Sequence, residues 1–145
     1  MVAKVQEDLK QAQLARDEIK VSTLRLLLSE IRNAEIAKGG QLVDEDIIQL
    51  VQKEVKKRKE AVAGFRSGGR EDQAQKEEAE QKVLAAYLPA QLPFDQLTKI
   101  VENTITEIEA TSLADMGKVM GVVMERVKGR SDGATVSKVV LEKLS

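Results

Sequence analysis

The chain contains no cysteine, no histidine and no tryptophan. Without cysteine there is no disulfide and no thiolate nucleophile. Without histidine the Ser-His-Asp and Cys-His arrangements are excluded, together with a zinc site built from nitrogen and sulfur ligands. Aromatic residues make up 2% of the chain, at Phe65, Tyr87 and Phe94, too few for a platform that stacks the bases of single-stranded nucleic acid. Long apolar runs are missing too, far short of the ~18 residues a membrane-spanning helix needs. The opening stretch MVAKVQEDLKQAQ is charged throughout and has no apolar segment of a secretory signal. These absences lead to the expectation of a soluble, cytoplasmic protein with no membrane contact.

What is present favours helix. Leu, Val, Ala, Glu, Lys and Gln are abundant, with 42% hydrophobic and 32% charged residues in 145. A chain of this length buries roughly 68% of its unfolded surface and holds a fold without staples. The 23 basic and 24 acidic residues leave a net charge of -1, so any affinity for nucleic acid must come from a local patch.

Apolar residues recur at three and four positions along most of the chain. Val2, Val5, Leu9 and Ala12 predict a first helix ending near Ala15. Leu24, Leu27, Leu28 and Ile31 predict a second, running to Lys38 and stopped by Gly39 in the left-handed conformation. Asp44 suits the N-cap of a third helix, with Val43 and Ile48 as a hydrophobic staple. That helix continues to the Ser67-Gly68-Gly69 break. A fourth starts near Arg70 and carries so few apolar residues that only Val83, Leu84 and Tyr87 are expected to anchor it. Pro89 and Pro93 then interrupt helical geometry. They are read as the boundary between an N-terminal domain over 1–91 and a C-terminal domain over 92–145. Three shorter helices follow, about Phe94–Ala110, Leu113–Lys128 and Gly133–Leu144, with Ser112 and Asp115 as a capping box, Gly129 as a stop and Asp132 as a cap. The expected fold is all-α: a four-helix region and a three-helix bundle.

No catalytic residues, metal ligands or cofactor motif emerge, because the carboxylates and lysines sit in helical charge patterns that a solvated face explains. The run from Lys53 to Glu60 contains four-residue pairs of opposite charge, Glu54 with Arg58 and Lys56 with Glu60, worth ~0.3 kcal/mol each. It reads as a solvated face or as a phosphate or partner surface. Arg58 differs, since it shares a row with Val51, Val55 and Val62. A seam ion pair is expected for it, with Glu30 and Glu35 as candidate partners.

The stretch DMGKVMGVVMERVKGRSDG, Asp115 to Gly133, is the most informative. Gly117 and Gly121 lie inside a helix, where each costs ~1 kcal/mol against alanine. Two explanations stand side by side: close helix packing, or the approach of an RNA backbone beside Lys118. Lys118, Arg126, Lys128 and Arg130 face only Glu125 in charge between Met116 and Arg130. The KGRSDG turn, where Gly129 frees the backbone, leads into the next helix, whose free N–H groups favour phosphate.

With these residues in view the sequence resembles the GatB/YqeY family of small bacterial proteins. The resemblance runs through Arg16, Leu24-Arg25, Arg58, Arg70 with Asp72, the junction Tyr87-Leu88-Pro89-Ala90-Gln91, DMGKVMG and KGRSDG. Ser131, usually alanine, and Pro93, often a serine-like cap, depart from the pattern. The resemblance implies a C-terminal domain similar to the tail of the B subunit of the tRNA-dependent amidotransferase, a tRNA-binding appendix. The associated label is carbon–nitrogen ligase activity with glutamine as amido-N-donor, yet no Ser-Lys amidase signature or phosphate loop stands in this chain. The reading is a non-catalytic tRNA-binding or amidotransferase-associated module, with phosphate contacts from Lys118, Arg126, Lys128 and Arg130. The expected partners are tRNA and an aminoacyl-tRNA synthetase or amidotransferase component. The alternatives are a protein-interaction module with no RNA role and the ligase activity itself.

Overall fold

The computed structural model describes residues 1–145 as seven α-helices and one short 3-10 turn, with no strand, so the all-α class read from the sequence is the one observed. The helices are α1 (Val2–Ala15), α2 (Glu18–Lys38), α3 (Asp44–Ser67), α4 (Glu71–Ala85), α5 (Phe94–Glu107), α6 (Met116–Val127) and α7 (Gly133–Leu144). They group into two compact units, Met1–Leu88 and Pro89–Ser145.

In the first unit, the three- and four-residue apolar rows of α1 to α3 converge on a core of Val5, Leu24, Leu27, Ile31, Ile47, Val51 and Val55, closed by Leu84 and Tyr87. Arg16 ends α1 in the left-handed conformation at φ 56°, and the Asp17 carboxylate caps α2 by accepting the Lys20 N–H at 3.1 Å. Gly39, at φ 79°, ends α2 where glycine alone avoids a steric penalty. The start of α3 departs by one residue from the expected cap. Asp44 is already helical and Val43 takes the cap position, exposed, while Leu42 and Ile47 turn to the core in place of the Val43–Ile48 staple. Three acidic residues, Asp44, Glu45 and Asp46, fill that first turn, where the helix dipole favours negative charge. Asp46 also reaches back to the Val43 N–H at 3.3 Å.

Helix α4 is anchored by more than Val83, Leu84 and Tyr87. Ala74 is fully buried, and Arg58 binds the helix through charge. Its side chain, 12% exposed, pairs with Glu54 at 2.9 Å on its own helix and approaches Glu80 at 3.4 Å and Glu77 at 3.8 Å on α4. The seam pair expected for Arg58 therefore exists, but Glu30 and Glu35 are not its partners, because α3 packs most extensively against α4. Glu35 instead accepts the Leu42 N–H at 3.3 Å. Burial and then the neighbouring Glu77 push the Glu80 carboxyl up, against a smaller opposing pull from Arg58. Nearer the turn Arg66 holds Glu71 at 3.1 Å and Glu78 at 2.9 Å. The Tyr87 hydroxyl donates to Asp8 at 2.5 Å and ties the end of α4 to α1.

The second unit is a three-helix arrangement whose core is Leu97, Leu144 and seven valines from α5, α6 and α7. Helix α5 stops at Glu107, short of Ala110, because Glu109 turns left-handed at φ 56° and the Ala110 N–H donates back to Ile105 at 3.0 Å. A 3-10 turn over Leu113–Asp115 precedes α6, with the Asp115 carboxylate accepting from Thr111 at 3.0 Å and Ser112 at 3.4 Å. Those two N–H groups hold Asp115 below the usual carboxylate range. Residues 89–92 belong with this unit. The Leu92 N–H donates to the Arg130 carbonyl at 2.8 Å, and the Arg130 Nε donates to the Ala90 carbonyl at 3.3 Å.

Candidate nucleic-acid interface

Helix α6 carries the feature that local propensity leaves unexplained. It turns Val119, Val123 and Val127 into the core and leaves Gly117 and Gly121 on its exposed side. A Cβ added at either glycine would meet nothing within 4 Å. Close helix packing is thereby excluded as the reason for the two glycines, since no neighbouring helix fills the space. Lys118 lies between them on the exposed surface. Its charge makes a minor contribution to the lowered pKa of Asp115.

The cations at the other end of α6 are positioned by the way the helix ends. Val127 is its last residue, and Lys128, not Gly129, is the first to turn left-handed, at φ 43°. Gly129 follows at φ 82°. This double turn leaves the Lys128 side chain exposed, with no partner in the protein. Arg130 spends its Nε on Ala90, while its terminal amino groups make no hydrogen bond within the protein. Arg126 is committed. It donates to Thr104 Oγ1 at 3.0 Å and pairs with Glu107, bracing α6 against α5. Lys118 stands apart from these three. Eight residues separate it from Arg126, about 12 Å along the axis and nearly a quarter turn around it. The four residues thus form two positions, not one patch.

The start of α7 differs from a free anion site. Asp132 caps it and accepts the Thr135 N–H at 2.8 Å, so a carboxylate already occupies the place proposed for phosphate. In the first unit, Lys57 is held by Glu54 at 3.4 Å, and of the two pairs expected in that run only Glu54 with Arg58 forms.

The Yqey-like protein family model matches residues 2–144, nearly the whole chain. The chain belongs to the YqeY-like family. Family relatives include "Altered inheritance of mitochondria protein 41, mitochondrial" of Pyrenophora tritici-repentis, 30% identical over 150 residues, covering 98% of this chain and 80% of that protein. The protein of the same name in Eremothecium gossypii is 38% identical over 114 residues, 76% of this chain and 62% of its own length. That of Saccharomyces cerevisiae strain YJM789 is 33% identical over 110 residues, 75% and 59%. The chain therefore spans about three fifths of the yeast relatives it matches. Their names correct the cytoplasmic location expected above, for these relatives are mitochondrial proteins by name, and they come from fungi instead of bacteria.

Sequence reasoning missed two groupings. Glu77 and Glu80 as partners of Arg58 were hidden because they lie on a helix with little apolar signal. Arg16 and Arg25, quoted only for the resemblance, line one groove at the α1–α2 turn. A signal for them existed: the positions three and four away from Arg25 are Val21, Ser22, Leu28 and Ser29, with no carboxylate among them.

Proposed function

We propose that the chain is a non-catalytic tRNA-binding module, working with an aminoacyl-tRNA synthetase or amidotransferase component, whose C-terminal unit meets RNA phosphates. The observation that carries this reading is the open Gly117–Gly121 face of α6. Two glycines costing ~1 kcal/mol each in a helix interior need an offset, and no side chain of the protein supplies one. A ligand backbone lying against the bare helix does. Lys118 is placed to meet it, and Lys128 and the free end of Arg130 meet phosphates beyond the helix end. Arg126 contributes only as far as RNA competes with Glu107. A duplex-like tRNA region hides its base edges in a narrow major groove, so binding is weakly sequence-specific and strongly salt-dependent.

The test is filter binding of total tRNA across salt concentrations. Replacing Lys128 and Arg130 by alanine flattens the slope of log affinity against log salt by about 1.5, whereas neutralising Lys56 and Lys57 leaves it nearly unchanged. Absence of tRNA binding at low salt overturns the reading. A protein-interaction module then takes its place, favoured by the exposed Leu14 and Ile36 of the first unit, 72% and 74% accessible.

A further inference from the structure

The turn joining α1 to α2 forms an open groove of about 550 Å³, lined by Gln13, Arg16, Glu18, Val21, Ser22 and Arg25. Two arginines and one glutamate are among its lining residues. Three other arginines, Arg58, Arg66 and Arg126, are held by carboxylates. Neither Arg16 nor Arg25 has an ion-pair or hydrogen-bond partner for its side chain. Nor does helix pairing explain Arg25, because no acidic residue lies three or four positions from it, the spacing at which a solvated helix face balances its charges. Arg16 is kept at a left-handed position, φ 56°, where glycine would be less strained and where glycine does serve at the end of α2. Asp17 caps α2 by accepting the Lys20 N–H at 3.1 Å. Ser22 spends its hydroxyl proton on the Ile19 carbonyl at 3.1 Å, which leaves the two guanidiniums and the Gln13 amide as the side-chain donors.

We propose that Arg16 and Arg25 form a phosphate-binding site, each guanidinium offering paired N–H donors to non-bridging oxygens of one phosphoryl group. Planar guanidinium forks match that geometry, and two of them balance a dianion. Glu18 opposes the anion and limits affinity. The phosphoryl group belongs either to an RNA backbone or to free or small-molecule phosphate. The inference does not depend on the RNA reading of the C-terminal unit.

The decisive measurement follows the Arg16 and Arg25 Nε–H resonances of the ¹⁵N-labelled full chain as inorganic phosphate replaces chloride at constant ionic strength. Saturable shifts at both are expected. Arg25→Gln weakens phosphate binding at least tenfold, as does Arg16→Gly, which keeps the turn because glycine tolerates its backbone. Glu18→Gln tightens binding, and the Lys128→Ala, Arg130→Ala variant leaves it unchanged. Resonances that move no more with phosphate than with chloride overturn the site, as does native affinity in Arg25→Gln. A short RNA duplex added to the phosphate-loaded protein assigns the source. Displacement of phosphate identifies the RNA backbone, and retention identifies free or small-molecule phosphate, the site standing in both cases. Loss of tRNA binding in the Lys128, Arg130 variant alone, with no phosphate shift at Arg16 and Arg25, refutes this site and leaves the C-terminal reading intact.

Discussion

The two units solve one problem, holding amphipathic helices together, by different means. In Pro89–Ser145 each helix has a full apolar row, and a core of mostly valine is sufficient. Its ion pairs, Arg126 with Glu107 and Lys143 with Glu102, are exposed and are worth ~0–1 kcal/mol each. In Met1–Leu88, α4 has almost no apolar row, and half-buried charge takes over, with Arg58 set among Glu54, Glu77 and Glu80. Charge used this way specifies register, because one guanidinium must meet carboxylates on two helices at once. The contrast also bears on function. The valine-cored unit has polar positions and two glycines to spare on α6, whereas much of the charge on α3 and α4 is committed to the fold.

The largest break in this comparison is Arg58→Ala. It leaves three neighbouring carboxylates without their shared cation and lowers the stability of the first unit by about 3 kcal/mol, read by urea denaturation. Amide resonances of the second unit stay where they are. A loss below about 1 kcal/mol makes the seam no more than a surface pair and erases the distinction between the units.

Tyr87→Phe removes the hydrogen bond to Asp8 while keeping the buried ring, at a cost of about 1 kcal/mol. An unchanged melting temperature shows that the ring alone holds the end of α4. In the second unit Gly121→Ala acts in the opposite direction. On an open helical face it raises stability by up to ~1 kcal/mol. A fall in the melting temperature contradicts the open face, and a rise accompanied by weaker tRNA binding sharpens its assignment to a ligand.

The smallest effect separates the units by pH. The native Glu80 carboxyl is raised, so above the ordinary glutamate value of about 4.3 the folded state keeps a proton that the unfolded chain has released. Its contribution to stability is full below that value and is lost as pH rises through the native one. Asp115, lowered by its cap, behaves oppositely: its contribution is present above the ordinary aspartate range and is lost as pH falls through the native value. Glu80→Gln therefore stabilises the first unit more at pH 7 than at pH 4.5 relative to the native chain. An equal difference at both pH values removes Glu80 from the account.

The order and most of the bounds of the helices were legible in the sequence, because apolar spacing, Gly39 as a stop and Asp132 as a cap act within about four residues of the chain, whereas the ends of α4 and α5 and the start of α6 each fell two or three residues from the expected place. The inward rows of α1 to α3 and α5 to α7 were legible for the same reason. So was the placing of Arg58 on a seam, since it shares a row with valines. Which helix Arg58 would meet was decided only by tertiary structure. Glu30 and Glu35 had the right chemistry, but α3 folds back on α4 and brings Glu77 and Glu80 to it. The open face at Gly117 and Gly121, the commitment of Arg126 to Glu107, the tie between Arg130 and Ala90, and the groove shared by Arg16 and Arg25 belong to the same class. Periodicity tells which side of a helix is apolar, whereas what stands opposite its polar side depends on groups brought in from other helices and loops, through contacts that no local pattern encodes.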